Sequence, residues 1–141
     1  MKEMMPWETC QKAHVKDVQP DKERMASILK MCQVRLSLTE DARLDDQTAS
    51  VIAADYYEVI KELLTALLLK HGLKSDNHEC LIAFFKNKYP SYEYEASAIH
   101  QLKDVRNRVS YDGIFVQKSY IEMNKLEFKH IIQLLERLIK E

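Results

Sequence analysis

The stretch "DVRNRVSYDG", residues 104–113, gathers groups that can handle a phosphate. Arg106 carries a planar guanidinium able to grip two phosphate oxygens at once. Asn107 beside it can orient a phosphate or a water, and Arg108 adds a second cation. Tyr111 follows Arg106 by a little more than one helical turn. Cleaving RNA through its own 2′-hydroxyl needs a proton acceptor near neutral pH and a donor for the leaving oxygen. Histidine, with an ordinary pKa of about 6.5, does both. A phenol, with an ordinary pKa of about 10, donates a hydrogen bond but is a poor base at neutral pH. Arg106, Asn107 and Tyr111 are the catalytic candidates, in a site better suited to holding a phosphate than to cutting beside it.

Three residues elsewhere bear on this stretch. His78 lies near the start of a helix, where it either hydrogen-bonds the backbone of a capping turn or supplies the missing base. His100 shares a helical face with Asn107 and either reaches the same cleft or is simply exposed. Asp55 lies beside a heavily apolar face, placed to pair with Arg106 across the fold. The phosphate-binding candidates are thus Arg106, Asn107, Arg108 and His78, with Asp55 and His100 in support. A plainer reading stands beside this one. Arg106 falls on the shoulder of the stripe Leu102, Val105 and Val109, where its stem would pack and its head would pair with an acid. Asp104 and Arg108 have the spacing of a surface ion pair.

The elements that must position these groups are helical. Pro20 and Asp21 open a first clear helix with Met25, Ile28, Leu29, Cys32 and Leu36 at helical spacing. A second runs over about 47–71 and is apolar on two faces, through Val51, Ile52, Tyr56, Ile60, Leu63, Leu64, Leu67 and Leu68. Both faces must be covered, by the fold or by a second chain. Gly72 stops it. Ser75 or Asp76 caps a third, "NHECLIAFFKNK", which ends before Pro90. A fourth carries Ala98, Leu102, Val105 and Val109 and closes at Asp112-Gly113. The fifth, over about 118–140, turns Tyr120, Ile121, Leu126, Ile131, Leu134, Leu135 and Leu138 inward. No alternating run predicts a sheet. The fold class is all-α, an up-and-down bundle of about five helices. Residues 1–19 form an extended strap with one short helical turn, anchored by Trp7, and 20–141 form the domain.

The order of these pieces resembles the HEPN domains. It is carried by "DYYEVIKELLTALLLKHGLKS", then "HECLIAF", then "RNRVSYDG" ahead of a last amphipathic helix, over roughly residues 20–140. The resemblance implies an all-helical domain that commonly pairs as a homodimer. Many HEPN domains are metal-independent endoribonucleases of toxin–antitoxin, CRISPR or defence systems. Others are non-catalytic modules, often beside a small nucleotidyltransferase partner. The hallmark is an Arg, often with a polar follower, and a His within about two helical turns. Arg106 and Asn107 match; Tyr111 stands where the His belongs. The resemblance therefore implies a module binding RNA, nucleotide phosphates or a partner protein, with nuclease activity weak or absent. An active toxin-like ribonuclease using Arg106 and a helical adaptor for a nucleotidyltransferase are the alternatives.

Composition narrows the rest. Only Gly72 and Gly113 occur, which excludes Gly-rich phosphate loops. A formal charge of −1 leaves no strong overall field, so any RNA contact must use a local patch. Cys10, Cys32 and Cys80 are too scattered for a zinc motif, and an odd number suits a reduced, intracellular compartment. His71 and His78 flank a turn without a third ligand, so neither a metal nor a cofactor is expected. The longest apolar run, "LLTALLL", is too short to span a bilayer, and "MKEMMPWETC" is not a secretory signal. The expected location is cytoplasmic.

Overall fold

In the computed structural model, which describes residues 3–141, each segment with helical spacing is a helix. Six helices and two short strands follow in order: α1 (Trp7–Ala13), β1 (Val15–Asp17), α2 (Lys22–Asp41), α3 (Ala49–Lys70), β2 (Leu73–Ser75), α4 (His78–Lys88), α5 (Glu93–Asp112) and α6 (Lys118–Lys140). The fold is an all-α helical bundle. No helix is long and apolar enough to cross a membrane, among the described residues.

α3 is the central helix, and α2, α4, α5 and α6 pack around it. Its two apolar faces are both covered within the chain, so they need no second copy. Ile60, Leu63, Leu64, Leu67 and Leu68 are all essentially inaccessible. Val51 departs from the expected stripe and is exposed, because it points away from the core while Ser50 and Ile52 on either side of it are buried.

Local chemistry sets the ends. Asp21 caps α2 by accepting from Arg24 N at 3.0 Å. Before α3, the Asp45 carboxylate accepts from the backbone N–H groups of Gln47 and Thr48, both at 2.9 Å. Those bonds favour the charged form and hold Asp45 below its ordinary range. The cap of α4 is Asn77, accepting from Cys80 N at 3.1 Å, rather than Ser75 or Asp76. Ser75 instead donates to His14 O at 2.8 Å, which ties β2 to the strap. Gly72 has φ +72°, and an added Cβ would lie 3.2 Å from Val18 O, so both conformation and space demand glycine there. Two bonds fasten the α5–α6 connection to the start of α3. Val116 N donates to Ser50 Oγ and Lys118 N to Asp46 Oδ1, each at 2.8 Å.

The strap is more ordered than an extended segment with one turn. α1 lies on α4, with Trp7 edge-on to Phe84 at 5.4 Å between ring centroids. β1 then pairs antiparallel with β2, Val15 opposite Ser75 and Asp17 opposite Leu73. This corrects the expectation of no sheet. Three residues per strand are too few to show an alternating pattern. The expectation of reduced cysteines is corrected as well. Docking of α1 on α4 brings Cys10 and Cys80 to a Cα separation of 5.5 Å, and they form a disulfide. Cys32 stays a free, buried thiol, pushed up to about 12 by desolvation and by Glu62.

Candidate functional site

Arg106 lies on the side of α5 that faces α3 and the start of α4. Its guanidinium carbon is 5.9 Å from the ring centre of Tyr57 and 5.8 Å from that of Tyr111. The two rings are unlike. Tyr57 is buried to 1% exposure in α3, whereas Tyr111 is 75% exposed near the end of α5. The cation therefore has a buried aromatic floor and an exposed aromatic cover. One guanidinium nitrogen donates to Asn107 Oδ1 at 3.3 Å and to Tyr111 Oη at 3.4 Å, both long bonds. No carboxylate pairs with Arg106 among the described residues.

His78, the first residue of α4, joins this site from another helix. Its ring centre is 6.1 Å from that of Tyr57, so Tyr57 is the shared neighbour of His78 and Arg106. Burial holds the imidazole below its ordinary value, and Lys61, Arg106 and Lys103 push the same way against Glu58. At neutral pH the ring is therefore uncharged, with one nitrogen free to accept a proton. Burial also pushes the Tyr57 phenol upward, opposed by the Arg106 charge. Lys61 is already engaged, at 2.9 Å from Glu58 and 3.4 Å from Glu62. The groups beside His78 thus include three cations on two helices, and of these only Lys61 has a carboxylate partner among the described residues.

The remaining candidates go elsewhere. Asn107 and Arg108 turn toward α6 and line a groove of about 610 Å³ between α5 and α6, floored by Leu102, Tyr120 and Phe128. Asn107 accepts from Arg106 through its oxygen and also lines the groove, so it lies between the two surfaces. Asp55 does not pair with Arg106. It faces α2 in a shallow pocket with Arg35, Leu38 and Thr39, where partial desolvation raises its carboxyl against the pull of Arg35. The helix rotates the two residues apart: Tyr57, two positions on, takes the place beside Arg106. His100 is neither cleft wall nor exposed; it is buried to 5% on the inner face of α5. Asp104 and Arg108 form no ion pair among the described residues, and both line the groove. His78 does lie in the capping turn, but Asn77 makes the capping bond and the His78 ring makes no hydrogen bond to the backbone among the described residues.

Three contributors escaped sequence reasoning: Tyr57, Lys61 and Lys103. The paired tyrosines of "DYYEVIK" were the available signal. Tyr57 and Lys61 are one turn apart and share a face. No group of His, Cys, Asp and Glu side chains suited to a metal ion occurs among the described residues.

An all-α bundle with an arginine between two tyrosines and a neutral histidine beside them defines the class of site. Compared with known proteins, the chain matches no family model, no curated protein and no solved structure.

Proposed function

We propose that this chain is a HEPN-like helical module that binds a phosphate of RNA or of a nucleotide at Arg106, with weak or absent nuclease activity. The observation that carries the reading is the guanidinium without a carboxylate partner, held by Tyr57 and reachable past the exposed Tyr111. An arginine kept for structure alone is ordinarily paired with an acid or hydrogen-bonded at short range. Arg106 has neither, so its donors remain available to an incoming anion. Tyr111 can donate to that anion or stack on a base, but it does not replace a histidine as proton acceptor.

A second reading is favoured by one specific observation. His78, uncharged and adjoining the same Tyr57, is a proton acceptor in the right protonation state for metal-independent cleavage of RNA. A labelled single-stranded RNA, incubated with chelator present, separates the two. The purified chain is compared with Arg106→Ala, Tyr111→His and His78→Gln. Under the first reading the chain binds without cutting, Arg106→Ala loses binding, and Tyr111→His gains cleavage. Cutting by the unaltered chain that His78→Gln abolishes would replace the first reading with the second. Binding and cutting by none of the four would overturn both, and would leave a helical adaptor for a nucleotidyltransferase or another protein partner.

A further inference from the structure

The turn of α4 that carries His78 is tied on its other side to the N-terminal strap. Cys80 of that turn is bonded to Cys10 of α1. Met5 N donates to Glu79 Oε1 at 2.6 Å, and Ser75 Oγ, just before the turn, donates to His14 O. The β1–β2 pairing completes the attachment. The sulfurs sit in a small apolar cluster of Cys10, Cys80 and Ala83, covered by Met4, Met5, Trp7 and Val15. Both cysteines are fully buried, so a reductant meets them only when the strap lifts. Such lifting belongs to the low-stability end of the molecule, because short elements hold the strap and only Met4 and Trp7 of it pack against the edge of the main core around α3.

We propose that the Cys10–Cys80 disulfide is a redox switch on the Arg106 site. When oxidised, it clamps the first turn of α4 so that His78 stays against Tyr57 and Arg106. When reduced, it frees the strap, and the turn loosens with it. This rests on the reading of Arg106 as a phosphate contact. The chemistry is thiol–disulfide exchange with an external dithiol. One thiolate attacks a protein sulfur, the S–S bond breaks, and a mixed disulfide forms. The second thiolate displaces the remaining protein sulfur. Two electrons pass to the protein, Cys10 and Cys80 each end as S–H, and the dithiol leaves as its own disulfide. The reduced turn keeps the Asn77 cap but loses the covalent tie that resists fraying.

The single tryptophan, Trp7, lies in the strap, so its emission reports strap release alone. The test adds dithiothreitol to the full chain, with complete reduction checked by mass spectrometry. It follows Trp7 emission, the side-chain NMR resonances of His78 and Arg106, and the affinity for a fluorescein-labelled single-stranded RNA. Reduction is expected to shift the emission to the red, move both sets of resonances and weaken RNA binding by about tenfold, a coupling of ordinary size. The double variant Cys10→Ser, Cys80→Ser should show the reduced values with or without dithiothreitol. Unmoved emission after full reduction would overturn the switch, as would moved emission with unmoved His78 and Arg106 resonances. Resonances that move while RNA binds in neither redox state would support the coupling and sink the phosphate reading instead.

Discussion

Arg106→Ala separates a functional arginine from a structural one, because the two roles cost different things. The structural loss is small. No buried ion pair is broken, so the substitution strands no carboxylate. It removes two cation–π contacts, at 5.9 and 5.8 Å. Each contributes about 0.5–1 kcal/mol at such partly exposed sites. The two hydrogen bonds of 3.3 and 3.4 Å are too long to add much. The expected destabilisation is therefore about 1–2 kcal/mol, a fall in Tm of roughly 3–6 °C for a chain of this size. The binding loss should be larger. A charge-assisted hydrogen bond to a phosphate contributes about 1.5–3 kcal/mol, which corresponds to a roughly 10- to 150-fold weaker Kd. Urea unfolding and fluorescence anisotropy with labelled single-stranded RNA measure the two quantities on the same preparation. Arg106→Lys should keep the charge but not the flat, forked contact, and fall between. Destabilisation well beyond 3 kcal/mol with unchanged RNA affinity would refute the reasoning and make Arg106 a packing residue.

Further outcomes follow from the same geometry. Burial lowers His78 and His71 below their unfolded values, so between the two values the unfolded chain binds more protons. Stability should therefore be full above about pH 6.5 and decline as pH falls through that value. Urea midpoints at pH 7.5 and 5.5 should show the decline, and His71→Gln with His78→Gln should flatten it; an unchanged slope would rule out both histidines as its source. Removing the disulfide with Cys10→Ser and Cys80→Ser should cost about 4 kcal/mol from the lost constraint on the unfolded chain, for a sequence separation of 70. A urea midpoint equal to that of the oxidised chain would contradict this. If the chain pairs with a second copy through α6, the exposed Met123 (83%) and Leu126 (75%) are the large apolar residues that helix offers. Light scattering should then give twice 16.6 kDa, and a charged pair, Met123→Glu with Leu126→Glu, should return the monomer. A mass of 16.6 kDa for the unaltered chain at micromolar concentration would dispose of the homodimer.

Much of the bundle was legible residue by residue. Helical spacing, Asp21, Gly72, Pro90 and Gly113 placed five helices within a few residues of their observed ends, because periodicity and end chemistry are local properties. The motif also led to Arg106, His78 and Tyr111, which the fold brings together. Spacing misled where a single helix cannot report what covers it. Leu126 shares the apolar character of its neighbours yet faces solvent, while His100 is polar and lies inside.

The sequence by itself determined the helices, most of their apolar positions and the candidate arginine, since each depends on side chains within a turn or two of one another. Tertiary structure alone decided which groups meet. It turned Asp55 toward α2 and put Tyr57 beneath Arg106, a choice between faces of one helix that depends on where α5 packs. It brought Cys10 to Cys80 across a separation of 70 residues and paired strands too short to announce themselves. Contacts between segments distant in the chain are fixed by how the apolar faces close on one another, and no local pattern encodes that closure.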